Sequence, residues 1–104
     1  MFKLKPHHDL ATMQARFATV DDLEVTNSAI QSSRALGFAL VDVLDVIQSL
    51  EMGDFVKSET AHSPPNSKIW HDTYVIEFGG WWLYLKFAGE TLIDVKLTSF
   101  KEWN

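Results

Sequence analysis

Five polar side chains stand singly among apolar neighbours in the C-terminal half of this chain, and their types suit proton transfer and anion binding. Lys57 lies in Asp54-Phe55-Val56-Lys57-Ser58, His71 in Ile69-Trp70-His71-Asp72-Thr73-Tyr74, Tyr84 and Lys86 in Leu83-Tyr84-Leu85-Lys86, and Lys101 in Ser99-Phe100-Lys101-Glu102. An imidazole moves a proton near neutral pH, an ammonium holds a phosphate, and a phenol stacks on a base or donates a hydrogen bond. Each residue also has a plainer role. A histidine on the polar side of a strand is usually solvated, a lysine on an exposed strand guards against edge-to-edge aggregation, and a tyrosine packs.

Such residues need a scaffold, and the apolar pattern supplies one. Helical spacing places a first helix over Asp9 to Thr19, with Leu10, Met13 and Phe17 on one face, and a second over Asn27 to Leu36. Thr26 or Asn27 caps the second helix and Gly37 closes it. A third runs from Leu40 to Leu50 with Leu40, Val41, Leu44 and Ile47 as its buried stripe. After Gly53 the period becomes two. Phe55 to Thr60 reads as a strand, residues 60–68 with Pro64-Pro65 as a loop, and Ile69 to Phe78 as a second strand. Gly79-Gly80 makes a two-residue hairpin into a third strand, Trp81 to Phe87, and Thr91 to Lys101 forms the last.

That hairpin sets a register. Phe78 opposes Trp81, so Ile76 meets Leu83 and Tyr74 meets Leu85 on one apolar face, while His71, Tyr84 and Lys86 share the other. His71 falls opposite Ala88, four positions from the level of Tyr84, or about 13 Å along the strand. Those two side chains line one groove without touching, and Lys57 is expected close to His71. The fold class expected is α+β, with three N-terminal helices packed on an antiparallel sheet of about four strands, in one domain spanning residues 1–104. The sheet face turned away from the helices carries lysines, aromatics and a histidine, a surface suited to single-stranded nucleic acid through backbone charge and base stacking.

Composition narrows the classes. The chain has 104 residues, 46% hydrophobic and 12% aromatic, enough for a core without staples. It has no cysteine, hence no disulfide and no thiolate metal site. No apolar run approaches the roughly 20 residues of a membrane span, and Met-Phe-Lys-Leu-Lys-Pro lacks the apolar core of a secretory signal, so a cytoplasmic location is expected. His7-His8-Asp9 is discounted as a metal site because adjacent histidines point apart and no spaced partner follows. The net charge of −5 runs against phosphate binding unless the lysines cluster on one face.

Taken together, the four motif pieces and their order resemble the motility quorum-sensing regulator (MqsR) family of bacterial ribonuclease toxins, a resemblance that extends back to about Pro6. It implies a RelE-like fold and a metal-independent endoribonuclease of a type II toxin–antitoxin pair, with no cofactor. The implied partners are mRNA and a cognate antitoxin bearing a zinc-binding domain and a helix-turn-helix domain. Matched motif by motif, the family's catalytic lysine, glutamine, tyrosine and lysine fall on Lys57, His71, Tyr84 and Lys101; Lys86 and Trp82 are expected as further RNA contacts. His71 stands where the family motif has glutamine, which exchanges an amide for a titrating ring.

The implied reaction needs the 2′-hydroxyl deprotonated, charge on the phosphate stabilised and the leaving 5′-oxygen protonated. Lys57 and Lys101 are placed on the phosphate, His71 as base or acid, and Tyr84 on a base or as a proton donor. The competing reading is a catalytically weak or inactive relative that serves as an antitoxin-binding, co-repressor module, which the acidic charge favours. Clustering of the lysines on the His71 face distinguishes the two.

Overall fold

The computed structural model describes residues 1–62 and 64–104; Ser63, inside the loop expected over 60–68, lies outside the described residues. The elements run β1 (Phe2–Lys3), α1 (Leu10–Arg16), α2 (Asn27–Ala35), α3 (Leu40–Ser49), β2 (Phe55–His62), β3 (Pro65–Phe78), β4 (Trp81–Gly89) and β5 (Lys96–Glu102). The strands form one antiparallel sheet in the order β1-β2-β3-β4-β5. The α+β class holds. Among the described residues the sheet has five strands rather than about four, and β1 precedes the helices, which therefore do not open the chain. A two-residue strand carries no readable period, so β1 forms only because Phe2 and Lys3 meet Glu59 and Ser58 of β2.

Each helix starts and stops for a local reason. The Asp9 carboxylate accepts the Thr12 amide at 3.0 Å and the Thr26 hydroxyl accepts the Ala29 amide at 3.2 Å, capping α1 and α2. Gly37, at a φ of +89°, closes α2 in the left-handed region open to glycine. α1 stops at Arg16, short of the expected Thr19, because its last carbonyls go to another element: the Gln48 amide of α3 donates to the carbonyls of Gln14 (2.8 Å) and Phe17 (3.0 Å). The buried face of α3 is Val43, Val46 and Ile47, continued by Leu50; of the expected stripe Ile47 is buried, Leu40 and Leu44 are half-buried and Val41 is 54% exposed. The run Leu-Val-Asp-Val-Leu-Asp-Val-Ile offers two stripes at helical spacing, and docking selects the one that ends on Leu50.

The core lies between the helices and one face of the sheet. Leu10, Met13, Phe17, Ala29, Phe38, Val43, Val46 and Ile47 meet Tyr74, Ile76, Leu83, Leu85, Phe87, Leu97 and Phe100. Phe17 stacks on Phe87 with centroids 6.3 Å apart, and Phe38 meets Phe100 edge to face at 5.2 Å. The β3–β4 hairpin has the register read from the sequence: Phe78 opposes Trp81, Ile76 opposes Leu83 and Tyr74 opposes Leu85, around Gly79 (φ +57°) and Gly80 (φ +85°).

Three strand boundaries in particular differ from expectation. β2 extends to His62 and β3 begins at Pro65, where the expected loop stood. Proline is tolerated as the first residue of a strand, and the misfit is absorbed by a register shift between Thr60 and Ala61. The last strand starts at Lys96, not Thr91, because the Asp94 carboxylate gathers the Glu90 and Thr91 amides at 3.1 and 2.7 Å into a turn, leaving Ile93 86% exposed. Another register shift, between Phe55 and Lys57, turns Lys57 away from the core face that Phe55 occupies, and one between Lys86 and Phe87 lets Leu97 and Phe100 both reach the core.

Candidate nucleic-acid interface and catalytic groups

Register decides which side chains share the face turned away from the helices. Lys57 opposes Thr73, Thr73 opposes Lys86, and Lys86 opposes Ser99, making one row across four strands. The next row is Glu59, His71, Ala88 and Lys96. On the other side of the lysine row, Val75, Tyr84 and Lys101 form a third. Lys57, Lys86, Lys96 and Lys101 therefore lie on one sheet face with His71, Tyr84 and Trp82, although the whole chain carries −5. The distribution of charge, not its sum, is what an anionic ligand meets.

The six residues singled out from the sequence divide into two groups on this face. Lys57, His71 and Lys86 are near one another, in adjacent rows. Tyr84 and Lys101 are directly opposite each other, with the Lys101 ammonium 4.9 Å from the Tyr84 ring centroid. Trp103 stacks on Tyr84 with centroids 5.6 Å apart and planes at 16°. Trp82 is 52% exposed and Trp103 48%, so both present ring surface to solvent. His71 opposes Ala88, as the hairpin register required, and does not meet Tyr84. Lys86 sits between them along β4.

Lys57, expected close to His71, has its charge engaged by another residue. The Lys57 ammonium is 3.0 Å from the Glu59 carboxylate, which also reaches the His62 ring at 3.4 Å. His71 titrates below the usual imidazole range chiefly because burial disfavours the charged ring and, next, because Lys86 repels it; Glu59 partly offsets both. Glu59 in turn stays ionised to lower pH than an ordinary glutamate, since Lys57 and then His62 hydrogen-bond its charged form. Sequence reasoning missed Glu59. The signal was present, because residues 57, 59, 71 and 73 alternate onto one face once β2 and β3 pair.

The remaining motif residues serve the scaffold. Asp72 is fully buried on the helix side, where its carboxylate accepts the His7 amide (3.0 Å), the His8 amide (2.9 Å) and the Ser58 hydroxyl (2.5 Å). Consecutive amides aimed at one carboxylate turn the backbone there, so the His7 and His8 rings meet edge to face at 4.8 Å instead of pointing apart. His7 also stacks on Trp70 at 5.4 Å, with the Lys3 ammonium 4.1 Å from the Trp70 ring centroid. Tyr74 is buried, and burial pushes its hydroxyl above the usual phenol range.

A protein-family model described as motility quorum-sensing regulator, toxin of MqsA, matches residues 5–102. The chain belongs to this family. It is therefore a toxin of a toxin–antitoxin system. No curated protein matches the chain. Within the MqsR family, Ser58, Asp72 and Tyr74 of the quoted motifs face the core here, whereas Lys57, His71, Tyr84 and Lys101 face outward. No helix among the described residues is long and apolar enough to cross a membrane.

Proposed function

We propose that this toxin is a metal-independent endoribonuclease that cleaves single-stranded mRNA by attack of the 2′-hydroxyl on the adjacent phosphate. The observation that carries the reading is the concentration of Lys57, Lys86, Lys96 and Lys101, with Tyr84, Trp82, Trp103 and His71, on one open sheet face of an acidic protein. Lysines there neutralise phosphates, and exposed rings accept stacked bases.

Roles follow from position. Tyr84, Trp103 and Lys101 form the stacking end of the face, Lys57 and Lys86 the middle row, and His71 with Lys96 the proton-transfer end. The two ends are about 13 Å apart along the strands, so a strand of RNA laid across the face stacks at one end while its phosphate is held at the other. Catalysis on such a surface comes mostly from positioning and charge, and loss of one group weakens the reaction without abolishing it. The proposed partner that silences the toxin is a cognate antitoxin with a zinc-binding and a helix-turn-helix domain, acting in the cytoplasm.

The test is incubation of the purified protein with short single-stranded RNA in a chelator. Fragments ending in a 2′,3′-cyclic phosphate and a 5′-hydroxyl are expected, with cleavage abolished by the antitoxin. Intact RNA from a folded protein whose expression does not arrest growth refutes the reading.

A further inference from the structure

Glu59 stands directly across the β2–β3 ladder from His71, on the open face, and no sequence motif had drawn attention to it. Opposed residues of an antiparallel pair have Cα atoms about 4.5–5.5 Å apart, so a carboxylate and an imidazole project side by side here. The pair is flanked by ammonium groups, Lys57 at 3.0 Å from the Glu59 carboxylate and Lys86 on the β4 side of His71. A base, an acid and two cations around one point are the parts that intramolecular transfer at a phosphodiester requires.

We propose that Glu59 and His71 are the base and acid of this cleavage. The inference rests on the ribonuclease reading above. Glu59 takes the proton of the 2′-hydroxyl, the 2′-oxygen forms its bond to phosphorus, and the bond from phosphorus to the 5′-oxygen breaks. The departing oxygen keeps that electron pair and takes a proton from the His71 imidazolium. Products are the 2′,3′-cyclic phosphate and the 5′-hydroxyl. A protonated Glu59 then faces a neutral His71, and proton exchange between them restores the starting forms.

The surroundings fit these assignments. Lys57 and His62 hold the Glu59 carboxylate ionised, which a base needs. The charged groups facing His71 are Glu59, Lys57 and His62 on β2 and Lys86 on β4, with Asp72 on its own strand but on the buried side. Burial and Lys86 favour the neutral ring, so the acid form declines as pH rises, while Glu59 and a bound phosphate favour the charged one. kcat/KM is therefore expected to fall as pH rises through the His71 ionisation and to fall again on the acid side, where Glu59 takes up a proton. A histidine acting as base gives the opposite slope on its limb.

Three substrates and two variants test the pair. With ordinary RNA, Glu59→Gln is expected to lower kcat about a hundredfold and to erase the acid limb of the profile. Binding of a 2′-deoxy analogue, which cannot react, is expected to be no weaker in that variant, because removal of an anion cannot weaken phosphate contacts. With RNA whose leaving 5′-oxygen is replaced by sulfur, which departs without a proton, His71→Gln is expected to recover most of its lost rate and Glu59→Gln none. Undiminished kcat in Glu59→Gln, or failure of the sulfur substrate to rescue His71→Gln, overturns the pair while leaving the ribonuclease reading intact. Absence of cleavage by the wild-type protein overturns both.

Discussion

Affinity for single-stranded RNA should show a salt dependence that counts the unengaged lysines of the open sheet face. Four lysines lie there, and Lys57 is held by Glu59, which leaves Lys86, Lys96 and Lys101 without an ion-pair partner among the described residues. Each phosphate neutralised on a single strand adds about −0.7 to the slope of log K against log salt, so three contacts give about −2. Raising salt from about 50 to about 200 mM should then weaken binding about 20-fold. Lys86→Ala should reduce the slope to about −1.4 and the loss to about sevenfold. Glu59→Gln should do the reverse, releasing Lys57 to give a slope of about −2.8 and a loss of about 50-fold. The assay is fluorescence anisotropy of a labelled 2′-deoxy oligonucleotide across a salt series, with Arg34→Ala on α2 as the control expected to leave the slope unchanged. A wild-type slope shallower than about −1, or one indifferent to Lys86→Ala, refutes the assignment of RNA to this face.

Three further outcomes are expected from the scaffold. Asp72→Ala leaves the His7 and His8 amides and the Ser58 hydroxyl without their buried acceptor, and urea unfolding should show a loss of about 3–5 kcal/mol; a loss under about 1 kcal/mol would contradict the anchoring role. Gly89→Ala places a Cβ 2.7 Å from the Val95 Cα, in backbone that has nothing to yield, and should cost about 1–3 kcal/mol by the same measurement. His8 is buried and its pKa is lowered, first by burial, so the unfolded chain takes up the proton more readily than the folded one. The stability this contributes is present above the unfolded pKa of about 6.5 and is lost as pH falls below it; a melting temperature that drops on that interval, and drops less in His8→Phe, is expected.

Much of the scaffold is specified locally along the chain. The caps at Thr26 and Gly37 and the hairpin at Gly79-Gly80 are local, because each depends on a backbone amide or a positive φ within a few residues. The hairpin was the most informative of these, since a two-residue turn propagates its register along both strands and so placed His71 opposite Ala88. Longer-range features were not legible in the same way. The choice between two apolar stripes on α3, the short α1 held by Gln48, and β1 formed from two residues all depend on which surface arrives to pack or pair.

The candidate site divides along the same line. Residue types and alternation within single strands placed His71, Tyr84 and Lys86 on one face, and the motifs named Lys57 and Lys101. What adjoins what across strands was settled by the pairing of β2 with β3 and of β4 with β5, and by register shifts at Phe55/Lys57, Thr60/Ala61 and Lys86/Phe87 that no local pattern announces. Those pairings put Glu59, rather than Lys57, opposite His71, gave Lys86 the larger repulsion on that ring, and set Trp103 against Tyr84. Spacing along a strand is a covalent property and can be read from the chain alone. Proximity between strands is decided by the packing of the whole sheet on its helices, and the charge that each site residue experiences is decided with it.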